Sequence, residues 1–108
     1  MRVNEIFDQP IQYAIKIVVS NRASHHVKYF QEDYLKGKSL EQADHIGYFT
    51  TDGFGEHSPT LYADKSEAIK QAKRIQSVCN QISTDQSNRF GSFAEYFVKP
   101  VIWKGQEV

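Results

Sequence analysis

Along Ile11–Ser20 the apolar side chains fall on alternate positions. Tyr13, Ile15, Ile17 and Val19 share one face of an extended chain, and Ala14, Lys16 and Val18 share the other. A period of two predicts a β-strand. The mixed second face predicts an antiparallel sheet with one wetter side. Asn21 to Ser24 then has turn composition, and Val27–Gln31, extending toward Leu35, is the next strand, so the two are expected to pair as a hairpin. Ahead of them, Val3, Ile6 and Phe7 fit one helical turn over residues 3–8, closed off at Pro10.

Past Gly37 the pattern changes. Ser39-Leu40-Glu41-Gln42 has the form of a capping box and predicts a short helix or turn. Ile46–Thr51 is rich in β-formers and predicts a third strand, followed by a tight turn at Asp52-Gly53 and a short fourth strand at Thr60–Ala63. The period then switches to 3.6. Ala68, Ile69, Ala72, Ile75, Cys79 and Ile82 form one apolar stripe behind Asp64 as N-cap, which predicts a helix over Lys65–Ile82. Thr84 to Asn88 is polar and reads as a loop. Phe93–Trp103 is the last strand region, where Pro100 demands an edge, a bulge or a break. The expectation is therefore an α+β fold in one domain spanning 1–108. It has a four- to five-stranded, mainly antiparallel sheet with one long amphipathic helix on one face, in the order β-β-(short α)-β-β-α-β.

Composition narrows the function classes. Thirteen Lys+Arg balance thirteen Asp+Glu, and 40% of the 108 residues are hydrophobic, which excludes an intrinsically disordered chain. The balance holds in each half: 6 basic and 7 acidic side chains over residues 1–54, then 7 and 6 over 55–108. Neither half is a basic arm for phosphate backbones. One cysteine, Cys79, allows no internal disulfide. The opening MRVNEIFDQP lacks the apolar segment of a signal peptide, and the longest apolar run is too short to span a bilayer. These features predict a cytoplasmic protein with no membrane contact.

Candidate chemistry is sparse. His25 and His26 are adjacent, so they diverge on a strand. His45 and His57 stand alone, with none of the spacings that hold a metal. Cys79 lies on the apolar helix stripe, where a thiol behaves as a small hydrophobe. Gly53-x-Gly55 is followed by Pro59 and a strand, where a phosphate-binding loop would lead into a helix. No catalytic, metal or cofactor set is expected, and the chain is not expected to be an enzyme.

Aromatics are the less ordinary feature, at 13% of the chain and concentrated in or beside the strands. The adjacent pairs Tyr29-Phe30, Tyr48-Phe49 and Tyr96-Phe97 must point to opposite sheet faces, and one helix covers only one of these. Tyr29, Tyr48, Phe54, Tyr62, Tyr96 and Trp103 are therefore the expected contact residues for a protein partner, with a homodimer through the same face as a further expectation. The alternative is single-stranded nucleic acid, taken by sheet aromatics together with Lys70, Lys73, Arg74 and Arg89. Arg89-Phe90-Gly91 has some of that flavour, although its residue order departs from the RNA-recognition motif.

The stretches YAIKIVV, HIGYFTTDGFG and LYADKSEAIKQAKRI give the chain a general style that resembles small accessory proteins of phages and mobile elements of Gram-positive bacteria. That resemblance implies a stoichiometric, inhibitor-type protein that binds a host protein. It carries over no site residues.

Overall fold

The structure, a computed structural model, describes residues 11–21, 24–54, 57–91 and 94–104. The helical turn expected at 3–8 lies outside them. Strands β1 (Gln12–Ser20), β2 (His25–Phe30), β3 (Thr50–Thr51) and β4 (Glu95–Trp103) form one antiparallel sheet in the order β3-β2-β1-β4. Helix α1 (Lys65–Phe90) packs on one face of it. This is the expected α+β class, with four strands.

The alternation of β1 sets the two faces. Ile15, Ile17 and Val19 point to the helix and are buried with Phe30, Leu40, Phe49, Ile75, Val78, Cys79 and Ile82. Burying side chains of this size contributes roughly 1.5–3 kcal/mol each, so this layer is the main source of stability. Val19 stands opposite Tyr96 in the β1–β4 register, which puts Tyr96 on the covered side.

The helix begins where expected. Asp64 caps it, its carboxylate accepting from the Ser66 N–H at 2.9 Å. It does not end at Ile82. The residues expected as a polar loop, Thr84 to Asn88, continue the helix for two more turns, because nothing in them breaks it. Gln81 reaches Asp85 one turn on, and the Ser83 hydroxyl donates to the Ala94 carbonyl at 2.8 Å. Termination waits for Gly91, whose φ of 71° lets its N–H close on the Ser87 carbonyl.

The middle of the chain departs further from expectation. Of the strand expected over Ile46–Thr51, only Thr50–Thr51 pairs with β2. Ile46–Tyr48 forms a 3-10 turn instead, because the His45 ring accepts from the Gly47 N–H at 2.9 Å. A side chain that bonds the backbone locally competes with the sheet ladder and here overrides β-propensity. The short helix or turn expected near Ser39 is a second 3-10 turn, Leu40–Gln42. The Ser39 hydroxyl does not cap it but donates to Glu41. A third 3-10 turn, Glu32–Leu35, ends β2 at Phe30, short of the extension toward Leu35. The strand expected at Thr60–Ala63 is reduced to one bridge, Tyr62 with Tyr13, in line with the end of β2.

β4 is an edge strand, one of the three outcomes that Pro100 allows. Its outward edge is closed by a side chain. Gln76 of α1 donates from Nε2 to the Tyr96 carbonyl at 2.7 Å and accepts the Val98 N–H on Oε1 at 2.8 Å. The amide stands in for a neighbouring strand at Tyr96 and Val98 and blocks that part of the edge.

Candidate functional site

The uncovered face of the sheet is laid out in rows by the register. Val18 stands opposite Val27 on one side and Phe97 on the other, an apolar row across three strands. Phe97 is 52% exposed and Val27 44%. The next row holds Tyr29, Lys16 and Lys99, with the two lysines directly opposite each other. Glu95, Ser20 and His25 form a polar row at the other side of the apolar one. Consecutive rows on one face lie about 7 Å apart along the strands.

At the far end the same face is closed. Tyr29 and Trp103 meet edge to face, ring centroids 5.2 Å apart, across the row of the fully buried Ala14. Gly53 lies against both rings. A Cβ there would sit 3.0 Å from Tyr29 Cδ2 and 3.4 Å from Trp103 Cη2, and its φ of +80° excludes most other residues as well. Gly53 thus takes the positive φ expected of Asp52-Gly53, with Asp52 Oδ1 accepting from the Phe54 N–H at 3.3 Å, but the segment packs over an aromatic pair and is not the tight turn of a hairpin.

Of the residues expected to contact a partner, Tyr48 and Phe54 are the most exposed, at 59% and 66%. Tyr48 lines a groove of about 450 Å³ with Tyr34, Lys36, Lys38 and Asp44. Tyr29 and Trp103 are half-buried against each other. Tyr62 packs against the core, and burial together with Glu32 pushes its hydroxyl up to about 12. Tyr96 is only 7% exposed beneath the helix. Burial, chiefly, raises its pKa too, so it is a core residue and not a surface anchor. The exposed member of that pair is Phe97. The sequence names the pair, but only the register shows which ring points outward.

The cations proposed for nucleic acid do not gather with the sheet aromatics. Lys70 and Lys73 belong to the helix layer, on the other side of the sheet from Phe97. Arg74 is committed to Glu41, donating from Nε to Oε1 and from Nη2 to Oε2 at 2.8 Å. Hydrogen bonds from Arg74 and Ser39 hold Glu41 down at about 2. Arg89 is exposed in the last turn of α1. The cations that accompany the exposed apolar row of the sheet are Lys16 and Lys99, which sequence reasoning passed over. The even-numbered phase of β1 already placed Lys16 beside Val18, but Lys99 needed the register.

Among the described residues no three His, Cys, Asp or Glu side chains are grouped to hold a metal, and no buried side-chain nitrogen or oxygen lacks a hydrogen-bond partner. The Cys79 thiol is pushed up to about 12 by burial, far from the thiolate that nucleophilic chemistry needs. No helix among them is long and apolar enough to cross a membrane. Set against protein-family models, curated proteins and solved structures, the chain finds no match.

Proposed function

We propose that the chain is a non-enzymatic protein-interaction module whose open sheet face occupies a protein partner, the stoichiometric mode of a mobile-element inhibitor or regulator. The observation that carries this reading is the apolar row Phe97–Val18–Val27. It crosses three strands, with Phe97 and Val27 exposed at its two ends and Val18 half-buried between them. Exposed aromatic and aliphatic side chains on a rigid sheet are the form of an interface core, and they cost little conformational entropy to dock.

Stacking of single-stranded nucleic acid draws less support. Val18 and Val27 offer no π-face, and Tyr29 and Trp103 already occupy each other. Among the described strand residues of this face, only Phe97 presents a free ring.

A photo-crosslinking residue at position 97, in the chain expressed in its own cells, should trap a protein that the same residue at Ser77, on the outer helix face, does not. The trapped protein, once purified, should bind one-to-one and about tenfold more weakly to Phe97→Ala. Trapping only nucleic acid, trapping the same protein at both positions, or an unchanged affinity for Phe97→Ala would overturn the proposal.

A further inference from the structure

The proposed protein-binding face carries its own statement about charge. Lys16 and Lys99 are cross-strand neighbours on it, and neither side chain forms an ion pair or hydrogen bond among the described residues. Like charges directly opposite on a sheet oppose pairing. The fold thus tolerates a repulsion at the centre of its one open face, one row from the apolar strip. Tyr29 shares their row with its ring against Trp103, and the other charged or titratable groups among the described strand residues of that face, Glu95 and His25, stand two rows away, beyond Phe97 and Val27.

We infer that the occupant of this face is an acidic amphipathic helix of a partner protein. Its apolar side chains would cover Phe97, Val18 and Val27, and carboxylates beside them would meet Lys16 and Lys99. The inference rests on the protein-binding reading above. Three observations select this occupant. The opposite face of the same sheet already seats a helix, so a second one would complete a three-layer arrangement. Rows about 7 Å apart match apolar and acidic positions three or four residues apart on a helix, whose Cβ atoms are about 5–6 Å apart and whose longer side chains span the rest. A second copy of this chain is a poor occupant. Two such faces brought together would oppose four lysines, and the outer face of α1 itself carries Lys70 and Lys73.

The test uses two synthetic helical peptides with the same apolar positions, one with Glu and one with Lys at the polar positions, and a short oligo-thymidine as a third probe. Each is titrated into the isotope-labelled full chain and followed by amide chemical shifts. The Glu peptide should shift Lys16, Val18, Val27, Phe97 and Lys99. Lys99→Glu should weaken it about tenfold, while leaving the melting temperature unchanged or raised, since that substitution replaces a repulsion by an attraction across β1 and β4. A fall in affinity without a fall in stability separates recognition from misfolding. Equal binding of the two peptides, shifts mapping to another surface, no binding of the Glu peptide, or tighter binding of oligo-thymidine would overturn the inference. If position 97 traps a protein whose contact surface is not acidic, the inference falls and the protein-binding reading stands. If position 97 traps no protein, both fall.

Discussion

The two faces of β1 are built from one alternating run and have opposite fates. Ile15, Ile17 and Val19 disappear under α1, while Ala14, Lys16 and Val18 look away from it. The covered face is filled to the point where even Cys79 and Tyr96 serve as packing. The open face is closed only at its Tyr29–Trp103 end and leaves its middle to Phe97, Val18, Val27 and two unpaired lysines. Stability therefore resides on the covered side of the sheet, and the proposed binding on the other. Adjacent substitutions break this comparison most sharply. Ile17→Ala should cost about 3 kcal/mol through lost burial and a cavity. Val18→Ala, one residue on, should cost less than about 1 kcal/mol. Urea unfolding of both variants measures the gap, and equal losses would mean that the open face is a second core.

The closed end of the open face gives the next largest effect. At Gly53 an alanine must both adopt a left-handed backbone and push into Tyr29 and Trp103. Gly53→Ala should cost about 2 kcal/mol. Because Trp103 is the single tryptophan, its fluorescence should shift as the edge-to-face pair loosens. A destabilised variant with unchanged emission would place the cost in the turn alone. The middle of the open face, and with it any binding at Phe97, should be unaffected.

Much of this layout was legible in the sequence. The period-two run gave away β1 and its two faces, and Asp64 with the 3.6 stripe gave away α1. Asp-Gly marked the positive φ at Gly53, and Pro100 left an edge, a bulge or a break, of which β4 takes the edge. What was hidden shares one physical cause: it depends on contacts between distant residues. Thr84 to Asn88 carry loop propensities, yet Ser83 and Gln86 find partners on Ala94 and Tyr96 and hold the helix. Tyr96 and Phe97 are equivalent by alternation until pairing with Val19 buries the first. The Lys16–Lys99 row is two unremarkable lysines, 83 positions apart in the numbering, until the β1–β4 register sets them side by side.

The third test concerns how the sheet is kept from growing sideways. Gln76 alone satisfies the Tyr96 carbonyl and the Val98 N–H on the outer edge of β4. Gln76→Ala should cost about 1–2 kcal/mol and should promote concentration-dependent association, seen by light scattering, as that edge becomes free to pair. Gln76→Glu keeps the acceptor for Val98 but sets a carboxylate against the Tyr96 carbonyl, so it should restore part of the loss at most. If Gln76→Ala associates no more than the wild type, Pro100 suffices to blunt the edge.

The smallest effect separates paired from unpaired cations. Arg74, on the helix layer, is held by Glu41, whereas Lys16 and Lys99 on the open face are not held. Both members of the Arg74–Glu41 pair are about half exposed, so the pair contributes little and is screened by salt. Its signature is in the pH dependence. Glu41 is held below its ordinary 4.5, at about 2, by Arg74 first and Ser39 second. A depressed carboxylate lends stability that is complete above pH 4.5 and is lost as pH falls through about 2. Wild type should therefore exceed Glu41→Gln by a small, constant margin above pH 5, and the two curves should merge between pH 4.5 and 2. Lys16→Gln and Lys99→Gln, which remove no partner, should show no such merging. A margin for Glu41→Gln that persists below pH 2 would mean that the residue acts through packing of the Leu40–Gln42 turn rather than through its charge.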